Sequence, residues 1–200
     1  MNKEKLNNLT RLICEKYNPT QYLGAVDCVI PGYFGGNDVM FIAQNPGLLK
    51  TDADDEYYDA FHEKNYSKMS ITYARALKSS RDTLGTFIND IYSDNWYYIS
   101  ITNVFKCPFE NNTLPEYITK FIPIREKQIL LKQIEYINPK IIVAIGTIAK
   151  KCIVQLQDHD SYMKTIFVVH PSYLKRTGEY ATKVEEYKQL LRNTLNAIKK

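Results

Sequence analysis

Four short apolar runs, each closed by a turn or a polar cluster and separated from the next by helical patterning, constrain this chain more than any other feature. The runs are Val39–Ala43, Tyr97–Thr102, Lys140–Ile145 and Thr165–Val169. Rich in β-branched and aromatic residues and shorter than a typical helix, they read as strands. Between and around them, apolar spacing predicts helices over Lys3–Tyr17, Ser70–Tyr92 with a break near Gly85, Tyr117–Ile137, Gly146 to about Leu156, and Glu179–Ile198. Pro115 sits where the third of these begins and Pro139 where it ends. Strand and helix in alternation predict an α/β fold: a three-layer α/β/α domain with a central four-stranded parallel sheet. With 200 residues and no repeat or linker, one domain spans the chain.

In sheets of this kind ligands bind beyond the carboxyl ends of the strands. Three polar clusters start where a run stops: Gln44-Asn45-Pro46-Gly47, Asn103-Val104-Phe105-Lys106 and His170-Pro171-Ser172. The predicted topology brings them to one edge of one sheet. Each cluster also has a plain structural reading. Asn-Pro-Gly is a common turn, a lone histidine before proline can cap an element, and Asn103 can satisfy loop backbone groups. Together they offer what extraction of a base requires: a water positioner, a polar reader and a donor for developing charge.

Composition narrows the classes. Apolar residues make up 44%, with no run near the ~18 needed for a membrane span. The amino-terminal stretch lacks the apolar block of a secretory signal, so a cytoplasmic monomer is the expectation. Cys14, Cys28, Cys107 and Cys152 form no Cys-x-x-Cys pair, which predicts reduced, buried thiols. His62, His159 and His170 show no metal-ligand spacing, and no metal is expected. The net charge of +4 permits a nucleic-acid partner. Lys and Arg gather after residue 102, whereas Asp52, Asp54, Asp55, Glu56, Asp59 and Glu63 crowd one short segment.

In the segments AQNPG after the first run, TNVFKC, PKIIVAIGTIAKK and VVHPSYLKR, the chain resembles the uracil-DNA glycosylase superfamily, closest to its family-four-like bacterial branch. The resemblance runs from about Val39 to Arg176 and implies a uracil-DNA glycosylase-like fold, a flipped-base DNA substrate and no membrane partner. By position it implies that Asn45 orients the attacking water, that Gln44 offers hydrogen bonds to the base, and that Asn103 reads the pyrimidine edge. His170 matches the histidine that donates to the pyrimidine O2. Pro171 and Ser172 would pinch the backbone, Tyr173 and Leu174 would form a wedge, and Lys175, Arg176 and Lys106 would meet phosphates.

Two departures from the family pattern carry information. The family-four branch holds an iron–sulfur cluster on four cysteines; here Cys14 and Cys107 match two positions, while Tyr17 and Glu126 fall at the others. Two thiolates cannot hold such a cluster, so no cofactor is expected. In the classical uracil enzymes a tyrosine after the motif proline excludes 5-substituents, and here that position is Gly47. Tyr57, Tyr58 or Phe61, from the acidic, aromatic segment Leu48–Met69, are candidates to close the wall instead. That segment otherwise reads as a solvated loop.

The expectation is a monofunctional glycosylase acting on uracil or a 5-modified pyrimidine, including hydroxymethyl- or glucosylated cytosine of phage DNA, which would give a defence role. A catalytically silent nucleic-acid-binding member of the same fold is the rival. A generic nucleotide-binding protein lacks support, because there is no Gly-x-Gly-x-x-Gly and no phosphate loop.

Overall fold

All four predicted runs enter one sheet. The computed structural model describes residues 1–25, 28–47, 53–79, 83–92, 95–157 and 164–198. Within them β1 (Tyr33–Phe34), β2 (Val39–Ala43), β3 (Ile99–Asn103), β4 (Ile141–Ile145) and β5 (Thr165–Val168) lie in the order β1-β3-β2-β4-β5. The last four are mutually parallel, as expected. The described sheet nevertheless has five strands rather than four, because β1 adds an antiparallel edge, Tyr33 opposite Ile101. Two residues are too few for periodicity to announce a strand. β3 also starts later than expected: Trp96–Tyr98 form a 3-10 turn that leaves Tyr97 and Tyr98 exposed, and the strand runs on to Asn103.

The period of two along the strands divides the core into two layers. Val39, Phe41, Ile99, Ile101, Val143 and Val168 face one cluster. It is completed by α2 (Ala53–His62), α3 (Tyr66–Ser79), α4 (Thr83–Ile91), α8 (Pro171–Thr177) and α9 (Tyr180–Ile198). Met40, Ile42, Ile142 and Ala144 face the other, built from α1 (Lys3–Lys16), α5 (Glu116–Lys120), α6 (Ile124–Ile137) and α7 (Gly146–Gln157). β2, β3 and β4 are buried on both faces, which is why their sequences read as continuous apolar runs.

Three helix expectations are corrected. The acidic segment is not a loop: its described part is α2 and the start of α3, while Leu48–Asp52 lie outside the described residues, as does His159. The 70–92 region does break into two helices near Gly85, but α3 already starts at Tyr66 and Gly85 itself lies inside α4. Its hydrogen is needed for packing: a Cβ there would stand 1.8 Å from the Leu77 carbonyl oxygen of α3. The expected 117–137 helix divides before Pro123, whose ring constrains the residue ahead of it. α6 ends as foreseen, with Asn138 in the left-handed region (φ 50°) ahead of Pro139. Among the described residues no helix is long and apolar enough to cross a membrane.

Candidate active site

Register places the three polar clusters. Ala43 pairs with Asn103, Ile42 with Ala144, and Ile145 with Val168, so Gln44, Asn103, Gly146 and His170 all emerge at the carboxyl edge of the parallel strands. With strands ~4.8 Å apart, the line from Asn103 on β3 past β2 and β4 to the end of β5 spans roughly 14 Å of backbone, within reach of one nucleotide for inward-pointing side chains. Backbone bonds fasten the loops: Val104 N–H donates to Ala43 O at 2.9 Å, and Phe105 N–H to Gln44 O at 3.0 Å. Gly146 adopts φ +81°, and a Cβ there would sit 3.3 Å from His170 Cβ. Glycine thus lets the start of α7 turn closely past the imidazole.

Asn45 is buried, and its amide is fixed at both ends. Gln44 Nε2 donates to Asn45 Oδ1 at 2.8 Å, and Asn45 Nδ2 donates to Pro46 O at 3.0 Å. Asn103 is fully buried; its Nδ2 donates to the Tyr73 hydroxyl of α3 at 3.1 Å, while its Oδ1 has no hydrogen-bond partner among the described residues. A buried acceptor left open in this way costs ~1–3 kcal/mol unless something supplies a donor. His170 is the N-cap of α8, and the Ser172 N–H donates to its Nδ1 at 3.3 Å. An imidazole that accepts at Nδ1 carries its proton on Nε2, the tautomer of a neutral hydrogen-bond donor. Gly47, partly exposed, continues the Asn45 loop.

Other expected positions fall differently. Lys106 does not reach a phosphate: it is 0% exposed, and its ammonium donates to Thr102 Oγ1 (2.8 Å), Gln133 Oε1 (2.7 Å) and the Asn103 carbonyl. Burial pushes it down to about 7, opposed by the charge of Glu126. Leu174 cannot be a wedge, since it lies 1% exposed in the core beneath α8, and Pro171 is buried as the first residue of that helix. Tyr57 is also buried, its hydroxyl donating to Val29 O at 2.7 Å. On the surface remain Ser172, half-exposed Tyr173, Lys175 and Arg176. The Lys175 ammonium lies 5.2 Å from the Tyr180 ring and the Arg176 guanidinium 5.9 Å from the Tyr173 ring. Tyr58 and Phe61 line a cavity of about 280 Å³ with Tyr57, His62, Cys28 and Val29. The segment after Cys28 passes the same sheet edge, where Ile30 N–H donates to Lys106 O at 2.6 Å.

The positions that match the family-four cluster ligands do not fit such a cluster. Tyr17, Cys107 and Glu126 do converge, but into a hydrogen-bonded hub. Glu126 accepts from Tyr22 at 2.5 Å and from Tyr17 at 3.2 Å, and the Tyr17 hydroxyl lies 3.8 Å from Cys107 Sγ. Burial pushes the thiols of Cys14 and Cys107 up to about 12 and raises Glu126 as well. A carboxyl held by two phenols, with one protonated thiol beside Tyr17, is not the set of about four thiolates that iron–sulfur chemistry needs. All four cysteines are buried and outside any disulfide, and among the described residues no group of three or more His, Cys, Asp or Glu side chains could hold a metal ion.

Tyr73 and Gln133 are the residues that motif reasoning misses. Their signal is helical: Met69, Tyr73 and Leu77 recur every four residues on the buried face of α3, and Gln133 sits among Leu130, Ile134 and Ile137 on α6. A search of curated proteins found no match to the chain. The family model of the uracil DNA glycosylase superfamily matches residues 31–196, which takes in the whole sheet and every cluster at its carboxyl edge. The chain belongs to the uracil DNA glycosylase superfamily.

Proposed function

We propose that this protein is a monofunctional DNA glycosylase that hydrolyses the N-glycosidic bond of a flipped-out uracil or 5-modified pyrimidine and leaves an abasic site. One observation carries this reading: a fixed amide, an open buried acceptor and an imidazole with its proton on Nε2 share one sheet edge. The C1′–N1 bond breaks with its electron pair passing into the pyrimidine. His170 Nε2–H donates to O2, where that charge gathers, a contribution of ~3–4 kcal/mol by analogy with oxyanion donors. Water adds to C1′, and the proton it gives up neutralises the departing pyrimidine anion. Asn45 holds that water rather than deprotonating it, because an amide accepts a hydrogen bond but is no strong base. Asn103 Oδ1 accepts an N–H of the base edge: N3–H of a uracil or the N4 amine of a cytosine. Lys106, the lysine of the Asn103 loop, is sequestered beneath it, which favours hydrolysis over a Schiff-base route.

Gly47 supplies no wall against a 5-substituent, and Tyr58 and Phe61 line a cavity of about 280 Å³. These features favour a bulky target, hydroxymethyl- or glucosylated cytosine of phage DNA, and with it a defence role. The test is alkali cleavage of labelled oligonucleotides carrying uracil, 5-hydroxymethylcytosine or its glucosylated form. Cleavage of a modified cytosine is expected, and cleavage of uracil alone would remove the defence role. Asn45 stands where a stronger base would carry a carboxylate, which sustains a second reading, a silent member that binds without cutting. Retained binding with no abasic product from any substrate would establish it.

A further inference from the structure

A groove among the described residues lies beside the site rather than in it. It encloses about 850 Å³ and runs down the open edge of the sheet, between β5 and α7. Phe167 on β5 and Val169 just past its end, 36% and 40% exposed, form its floor. Thr147, Lys150, Lys151 and Val154, on one face of α7, form its wall. His170 and Tyr173 close its upper end, so the groove opens directly into the candidate active site.

Its chemistry is that of a polyanion with flat apolar faces. Among the described residues the lining holds no carboxylate and two lysines, of which Lys151 donates to the Thr119 and Lys120 carbonyls and Lys150 faces the groove. The Lys150 ammonium stands 5.5 Å from the Phe167 ring centre, and Arg176 stands over Tyr173 at the mouth. Exposed rings flanked by cations are the pattern on which unpaired bases stack while their phosphates are neutralised. The length suits this occupant. The three extended steps from Phe167 on β5 to His170 beyond its end rise about 10 Å and eight residues of α7 about 12 Å, which matches about three nucleotides at ~3.4 Å stacked spacing. A double helix, its bases turned inward, offers nothing to the Phe167 ring.

We infer that this groove binds a short unpaired stretch of the substrate strand next to the flipped nucleotide, so that the protein engages single-stranded DNA. The identity of the polymer rests on the glycosylase reading; the groove itself is tested without cleavage. The probe is a fluorescent 12-nucleotide oligo-dT, titrated by anisotropy against a duplex of equal length. Phe167→Ala and Lys150→Ala, both at exposed positions, should each weaken single-strand binding by about ten-fold. Lys150→Ala should also flatten the dependence of log affinity on log salt by about 0.7. Duplex affinity should stay as in the parent. Ultraviolet cross-linking of bound oligo-dT to the unaltered protein, mapped by mass spectrometry, should label the peptide containing Phe167. Parental single-strand affinity in both variants, an equal loss on duplex, or cross-links confined to other peptides would each overturn the groove. Absence of cleavage on every modified-base substrate, with single-strand binding still lost in the variants, would overturn the glycosylase reading and leave the groove standing.

Discussion

His170 can donate from Nε2 because Ser172 occupies its other nitrogen. Replacing it with alanine removes the donor from the departing base, and kcat should fall about 10²–10³-fold with little change in KM, measured by single-turnover cleavage. Asn45→Ala should cost about 10²-fold in kcat, since the water loses its placement. Tyr73→Phe addresses Asn103 from behind. With its Nδ2 no longer held at 3.1 Å, the amide can rotate, and KM should rise more than kcat falls. An unchanged KM would show that Tyr73 only packs. Asn45, Asn103 and His170 were legible because each follows an apolar run, and turn chemistry after a strand locates a residue at the sheet edge. Lys106 and Leu174 were not, because letters give polarity and not direction: Lys106 folds back beneath Thr102, and Leu174 turns inward on a helix the sequence did not announce.

At the scale of elements, the parallel strands were readable because burial on both faces writes itself as unbroken apolar sequence. The helix boundaries were not, because a run of helical periodicity does not reveal where the chain turns. α3 and α4 share one apolar pattern, yet their packing depends on Gly85, which meets the Leu77 carbonyl too closely to admit even a methyl group. A propensity argument alone would favour alanine there by about 1 kcal/mol. The contact reverses the sign. Gly85→Ala should destabilise by about 1–3 kcal/mol as α4 is pushed from α3, seen as a lower urea midpoint. A gain in stability would mean that the two helices do not meet there.

Across the whole molecule, both core layers carry thiols that burial holds protonated: Cys14 in one, Cys107 and Cys152 in the other. Each is raised from 9.0 to about 12. Between those values the folded chain keeps protons that the unfolded chain has lost, so stability present below pH 9 drains away as pH rises through that window. One thiol amounts to as much as ~2–3 kcal/mol by pH 11. Lys106 acts with the opposite sign. Its folded value near 7 lies below the ordinary 10.5, so the unfolded chain binds the extra proton and stability climbs between those limits. The two effects together give a maximum near pH 9, followed by a steep decline to which buried Tyr17, Tyr22 and Tyr57 add above pH 10. Urea midpoints from pH 7 to 11 test this directly. Cys152→Ala should lower stability slightly at pH 7 yet make the alkaline decline shallower by one thiol's share, whereas an equally steep decline would mean that the buried thiols do not set it.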